Sequence, residues 1–299
     1  MQILQNPVII TASISGGIHS PTMLASIPRD PEAIAEAALK AVDAGASVVS
    51  IHGRIAPEGR PGGSAGLGAA VAKIRRESGA IVQLSAASSE PTRERIEAIA
   101  ALKPDLAAVP LGSQDKWLHQ YVAAYPAWKY EWEREALERT RGSVFVVTHD
   151  DIVGYAEACR THGVAPLLEF SDASHLAHAD TLRAEGVFSG FQRAHLNLGA
   201  GIGRRIDDLL SAGQALQRTF GDGFAWSVSG AGVAQMGIAA QGALMGAHVR
   251  VGLDESVNVL PGQPAHGGAA DAVRHVALLL KQLGLPVASP AQAREILRL

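Results

Sequence analysis

The sequence predicts a single (β/α)8 TIM barrel occupying residues 1–299, with a helical excursion after its fourth strand. Three observations carry that expectation. Short β-branched or apolar runs alternate with longer amphipathic stretches, the mark of repeated strand–helix units. Alanine is abundant and glycine reaches 32 residues, which suits close helix–sheet packing and many short turns. No Pro/Ser-rich linker, heptad run or low-complexity tract divides the chain, and an α/β barrel of this size commonly forms one domain.

The elements follow in order. Residues 7–13, PVIITAS, form the first strand run. Asp30-Pro31-Glu32 then opens a helix, with Asp30 as cap and Pro31 in the first turn. Ile34, Ala38, Ala41 and Val42 give that helix an apolar face, and Gly45 stops it. The second run is 47–52, SVVSIH; the third is 80–85, AIVQLS, with a helix from Glu90-Pro91 to about Leu102; the fourth is 106–111. Residues 113–141, with Trp117, Trp128 and Trp132, read as the helical excursion. Residues 143–147 resemble a further strand, but Thr148-His149-Asp150-Asp151 opens a helix at once, so the fifth barrel strand is assigned to 164–170, VAPLLEF. The last three are 194–198, 224–229 and 248–253. Gly230-Ala231-Gly232 follows the seventh strand and opens a helix at Ala234, where backbone N–H groups could accept an anion.

Composition narrows the function. Of the residues, 47% are hydrophobic and 18% charged, fitting a soluble enzyme with a large core. A net charge of −3, spread along the chain, and 5% aromatics argue against a nucleic-acid surface, a stacking platform or a polybasic membrane patch. One cysteine, Cys159, excludes an internal disulfide and suggests a reducing compartment. The start, MQILQNPVIITA, lacks the basic region and apolar stretch of a signal peptide, and no apolar run reaches the ~20 residues of a membrane span, so the expected location is cytoplasmic.

Parallel strands covered on both faces should be almost continuously apolar, so polar residues within them are informative. Residues two apart share a face. Ser50 pairs in this way with His52, Gln83 with Ser85, His195 with Asn197, and Ser227 with Ser229. On the eighth strand Arg250 and Asp254 share a face, with Glu255 beyond. Catalytic groups of such barrels sit at the carboxyl ends of the strands, so a pocket is expected there. His52 is either a metal ligand or a hydrogen-bonding residue inside the barrel. Asp254 is either a ligand or the partner of Arg250. His195 would complete a three-ligand site, or is a satisfied core histidine. His19, His119, His149, His175, His178 and His266 show no ligand spacing and read mostly as surface or loop residues.

Four segments, IITASISGG, DPEAIAEAALKAVDAGASVVSIHGR, GAGVAQMGIAAQGALMGAHVRVGLDES and PVASPAQAREILRL, resemble the β-keto acid cleavage enzyme family nearly end to end. Its members include the 3-keto-5-aminohexanoate cleavage proteins of lysine fermentation. The resemblance implies a divalent metal, usually zinc, that binds a small β-keto acid. It also implies acetyl-CoA as co-substrate, with acetoacetate and a new CoA ester as products. It implies a homo-oligomer, a tetramer, to which the aromatic excursion could contribute contacts unless it packs on its own barrel. On the residues that match, His52 stands at the second histidine of the metal motif and Asp254 at the metal glutamate. Glu255 stands at the proton-abstracting acid, Arg250 at its arginine, Ser85 at a substrate-contacting serine and Arg54 at a motif arginine. Departures are Ser50 for the first metal histidine, Ile18 for an acid, Ala86-Ala87 for Gly-Gly, Ala108 and Pro110 for polar residues, and Val233 for a base. With Ser50 placed near the site as a substrate-side group, serine is a poor zinc ligand.

Three functions remain open on these residues. The first is a C–C bond acyltransferase of that family with an altered pocket. The second is a barrel hydrolase or lyase on another carboxylate, held by Arg250, with Glu255 as base and no tight zinc. The third is a catalytically impaired paralogue that binds a small ligand or stabilises an assembly.

Overall fold

The computed structural model describes residues 6–85, 90–172, 174–199 and 206–299. Eight parallel strands close into a barrel: β1 (Ile10–Ser13), β2 (Val48–Ile51), β3 (Ile81–Leu84), β4 (Leu106–Pro110), β5 (Ala165–Phe170), β6 (Gln192–Leu198), β7 (Phe224–Gly230) and β8 (His248–Gly252). Each pairs with its sequence neighbours, and β8 returns to β1 with Ile10 beside Val249 and Thr11 beside Arg250. The helices are α1 (Pro31–Asp43), α2 (Gly68–Glu77), α3 (Thr92–Leu102), α4 (Glu131–Arg139), α5 (His149–His162), α6 (Ser174–Ala184), α7 (Ile206–Phe220), α8 (Gln235–Leu244), α9 (Ala269–Gln282) and α10 (Pro290–Leu297). Each strand is therefore followed by a helix, α4 being additional after β4 and α10 after β8.

Local chemistry accounts for these elements. Asp30 accepts the Ala33 N–H at 2.8 Å and caps α1, whose Ile34, Ala38 and Ala41 face the sheet. Thr148 and Asp151 cap α5 reciprocally. In α9, Ala269, Ala272, Val273, Val276 and Leu280 recur at helical spacing and are buried.

The pleat sorts the strand residues. Ile10, Ala12, Val49, Ile51, Val82, Val228 and Val251 pack outward with the helices in the main core. Ile9, Val48, Ile81, Leu106 and Ala225 join Ala293 and Leu297 of α10 in a small apolar plug at the amino end of the barrel. Arg193 fastens that plug, donating from Nε to the Leu297 carbonyl at 2.7 Å and from Nη2 to the Arg298 carbonyl at 3.0 Å. Above the plug the interior becomes polar. Gln83 donates to Ser50 Oγ at 3.3 Å, and the two ring nitrogens of His195 meet Ser227 Oγ at 2.8 Å and Ser229 Oγ at 3.0 Å.

The structure refines the sequence reading in four places. Regular β1 starts at Ile10 rather than residue 7, because the chain before it makes only an isolated bridge, Val8 to Val287. In the segment 143–147, Val144–Phe145 pairs antiparallel with Gln114–Asp115 as a ribbon outside the barrel, so the strand count stays at eight. The excursion contains that ribbon, a 3-10 turn (Leu118–Ala124) and α4. A short 3-10 turn, Gly232–Ala234, precedes α8, which starts at Gln235. Two further ribbons, Arg54–Ile55 with Arg60–Pro61 and Asn258–Leu260 with Gln263–Pro264, follow β2 and β8. Trp132 is buried on its own barrel, with the Arg60 guanidinium 5.8 Å from its ring centroid, whereas Trp117 is 66% exposed. Glu133 ties α4 down by accepting from the Thr22 N–H at 2.8 Å and the Thr22 hydroxyl at 2.6 Å. Among the described residues, no helix is long and apolar enough to cross a membrane.

Candidate active site

The carboxyl ends of the strands surround a cavity of about 690 Å³. His52, Ser85, Arg250, Asp254 and Glu255 all stand on its wall. They come from β2, β3 and β8, so segments some 200 residues apart in sequence converge as the strand alternation requires, His52 and Asp254 being separated by 202 positions.

Arg250 is the hub. Its Nε donates to Glu255 Oε1 at 2.6 Å, Nη1 donates to Glu169 Oε1 at 3.0 Å, and Nη2 lies 3.9 Å from Asp254 Oδ2. Burial opposes its charge, but Glu255, Glu169 and Asp254 outweigh burial and keep the guanidinium protonated. Asp254 Oδ2 meets His52 Nε2 at 2.7 Å, and Asp254 Oδ1 accepts the Gly17 N–H at 2.9 Å. Ser13 donates its hydroxyl to Glu255 Oε2 and accepts the Asp254 N–H at 3.0 Å. Consecutive carboxyls thus turn to different partners, and their proton affinities separate. Burial acts to raise Asp254, yet His52, Arg250 and the Gly17 N–H together hold it well below the ordinary aspartate range. Burial, reinforced by the Asp254 charge, raises Glu255 against the pull of Arg250 and Ser13. Two acids pushed apart in this way are suited to different roles.

The backbone is shaped to allow this approach. Gly16 has φ +61°, and a Cβ there would lie 2.3 Å from the Leu253 carbonyl oxygen, so the loop after β1 and the turn after β8 touch only because position 16 lacks a side chain. Ser15 Oγ accepts the His52 N–H and donates to the His52 carbonyl, both at 2.9 Å, fixing the histidine from behind.

Two residues expected at the substrate stand behind the wall. Ser50 is wholly buried and bonded to Gln83, one turn of the pleat below His52. Arg54 donates from each of its three nitrogens to the carbonyls of Ser15, Gly16, His19 and Gly59 at 2.7–3.0 Å, which braces the β1 loop. Neither Ser50 nor Arg54 is among the described residues that line the cavity. His195 is the satisfied core histidine of the two readings, since serine hydroxyls meet both nitrogens. The anion cradle after β7 is also occupied internally: the Ala231 N–H donates to Leu198 and the Gly232 N–H to the Glu255 carbonyl. Ala86-Ala87 lie outside the described residues.

Three wall residues escaped the sequence reading. Glu169 is a buried acid at an inward position of β5, and the polar-residue-in-a-strand rule applied to VAPLLEF would have found it. His19, read as a loop residue, lines the cavity with its Nδ1 donating to the Leu253 carbonyl at 2.7 Å, and burial lowers its proton affinity. Lys116 enters from the excursion, where no periodicity pointed to it. His175 is likewise buried rather than on the surface.

An eight-stranded barrel with a buried acid–arginine cluster at the carboxyl ends of its strands is the arrangement of a barrel enzyme. Residues 7–299 match the family model of the beta-keto acid cleavage enzyme, and the chain belongs to that family. Among its relatives, a 3,5-dioxohexanoate:acetyl-CoA acetone transferase of Paraburkholderia graminis is 34% identical over 98% of this chain and 96% of that protein. A 3-keto-5-aminohexanoate cleavage enzyme of Fusobacterium nucleatum is 26% identical over 99% of each chain. The barrel also resembles ObcA, solved in ternary complex with a C4-CoA adduct and oxalate, with a TM-score of 0.69 and 18% identity over 92% of this chain and 68% of that one.

Proposed function

We propose that the protein transfers the acyl part of a β-keto acid to CoA, using acetyl-CoA as co-substrate and giving acetoacetate and a new CoA ester. The observation that supports this reading is the buried Arg250–Glu255 pair beside Asp254 and His52, at the floor of a cavity large enough for a small acid and the end of a thioester. The hydrogens between the keto and carboxylate carbons of such an acid are acidic, and Glu255, raised by burial, is the base assigned to them. Arg250 holds Glu255 in place and offsets the negative charge that develops on the enolate. The resulting carbanion attacks the acetyl carbonyl, releasing CoA thiolate; the thiolate attacks the original keto carbon, and the bond from that carbon to the methylene breaks. The acetyl group leaves on the carbon that bears the carboxylate, the protonated Glu255 returns its proton to that carbon to give acetoacetate, and the remaining acyl group leaves on CoA. Ser85 and Asn197, on the same wall, are assigned hydrogen bonds to substrate oxygens.

The resemblance also implies a metal. His52 and Asp254 face each other and His52 Nδ1 has no hydrogen-bond partner, but Ser50 is turned to Gln83 below the cavity. Among the described residues, no three histidine, cysteine, aspartate or glutamate side chains form a ligand group. A catalytic zinc normally takes three protein ligands, so the residues present do not fit a tightly held zinc.

The test is to incubate the protein with acetyl-CoA and a panel of β-keto acids, 3,5-dioxohexanoate first because a relative is named for it, and to follow acetoacetate and the CoA ester. Stoichiometric appearance of both products is expected. Silence across the panel would turn the assignment towards a hydrolase or lyase acting on a different carboxylate.

A further inference from the structure

We propose that the acyl end of the substrate is an uncharged hydrocarbon chain seated against the helical excursion, so that the acids accepted are 3-oxoalkanoates. The claim rests on the reading of a β-keto acid as the occupant of the cavity. The reacting carbons of such an acid belong at the floor, beside Arg250 and Glu255, and the remainder must run up one of the walls. The closed strand order sets the excursion after β4 across the mouth from the turns after β7 and β8. Both sides carry apolar lining residues, and they differ in enclosure.

The inner part of the excursion wall is closed. Glu133 and Leu137 lie four apart on α4 and share a face. Glu133 turns that face to the β1 loop by accepting from Thr22, and Met23 follows Thr22 directly. Leu137 is 4% exposed, and Ile18, Met23, Leu118 and Tyr125 line the same cavity half-buried. Trp117 and Tyr121 are exposed and mark the outer edge. On the opposite side Val233 is 73% exposed and Pro261 is exposed as well. An arm that must leave for solvent, as that of acetyl-CoA does, suits the open side. A chain that ends inside the protein gains most on the closed one, where more of its surface is taken from water.

The chemistry of the wall then selects the chain. Ile18, Met23, Leu118, Tyr125 and Leu137 offer no ionised partner. At the edge, Asp115 is exposed and accepts the Trp117 indole N–H at 2.5 Å, and Lys116 is engaged within the protein. A terminal carboxylate or ammonium carried into this wall would lose its hydration without gaining a counter-charge.

The test compares 3-oxopentanoate, 3-oxohexanoate and 3-oxooctanoate with 3-oxoadipate, which matches 3-oxohexanoate in length but ends in a carboxylate. The kcat/KM should rise roughly fourfold per methylene along the first three, the value of one buried CH2. The 3-oxoadipate value should lie roughly ten- to hundredfold below that of 3-oxohexanoate. Leu137→Ala, and Leu118→Ala in case the buried site does not fold, should raise the KM for 3-oxooctanoate roughly tenfold, the loss growing with chain length, while the KM for acetyl-CoA stays near wild type. Calorimetric binding of the same acids without acetyl-CoA separates this claim from the reaction. If wild type performs no transfer but binds 3-oxooctanoate more tightly than 3-oxopentanoate and 3-oxohexanoate more tightly than 3-oxoadipate, the reaction assignment falls and the apolar seat stands. A flat chain-length series, equal binding of 3-oxohexanoate and 3-oxoadipate, or no saturable binding overturns the seat. So does a rise confined to the KM for acetyl-CoA in the variants, which would give this wall to the CoA arm.

Discussion

Asp254 and Glu255 are chemical homologues on consecutive residues, and their surroundings alone give them different tasks. Glu255 must be ionised to take a proton, and its proton affinity is raised. The acid limb of the kcat/KM profile should therefore lie above the ordinary glutamate value of about 4.3. Glu255→Gln keeps the shape of the side chain but removes the base; kcat should fall by roughly 10²–10⁴, with the unfolding midpoint little changed. Arg250→Met acts differently, because it strands buried carboxylates. A loss of about 3–5 kcal/mol is expected from urea unfolding at neutral pH, shrinking as acidification protonates Glu255. An unchanged midpoint would show that the cluster adapts without its guanidinium. At this scale the sequence was partly legible. Spacing marked His52, Arg250, Asp254 and Glu255, because strand alternation fixes which side chains face inward. It did not reveal that Arg54 spends its donors on carbonyls, since that depends on how the β1 loop folds over it.

Among the elements, the excursion between β4 and α5 covers the most cavity wall and obeys the fewest sequence rules. Its attachment to the barrel runs through Glu133. Burial acts to raise that carboxyl, but hydrogen bonds from Thr22 and Tyr130 prevail and lower it. A depressed carboxyl adds stability above its unfolded value of about 4.3 and loses it as the pH falls through the lower folded value. Glu133→Ala should accordingly speed proteolytic nicking within residues 113–146 at neutral pH and raise KM, with the barrel still folded by far-UV circular dichroism. No change in nicking would show that Trp132 packing holds the segment alone. Caps at Asp30 and Thr148 could be read in advance because they are local. The pairing of Val144–Phe145 with Gln114–Asp115 could not, because a two-residue ribbon has too little pattern to distinguish it from a barrel strand.

For the molecule as a whole, the polar barrel interior sets an acid limit. Burial lowers His248 to about 4 and puts His195 well below its ordinary value, so both are neutral in the folded protein. Unfolded histidines protonate near pH 6.5, so acid favours the unfolded chain: stability should decline from about pH 6.5 towards 4, His248 alone accounting for roughly 3 kcal/mol at the lower end. His248→Gln, which keeps an acceptor for the Ile9 N–H, should flatten that decline in urea midpoints measured between pH 4.5 and 7.5. The barrel strands were largely legible, since eight apolar runs alternate with helices, and the closure that joins β8 to β1 is seen in the structure. The ribbons after β2, β4 and β8 have a consequence of another kind. Among the described residues each pairs as a strand only with itself and not with the barrel, while Arg54 braces the first against the β1 loop and Gln235 bonds to Asn258 of the third, so the rim is a set of separate fittings seated on a fixed frame. Grafting a ribbon of different length from a homologue should retune which acids are accepted without disturbing the register beneath, giving this architecture a low-risk route to new chemistry-matched variants.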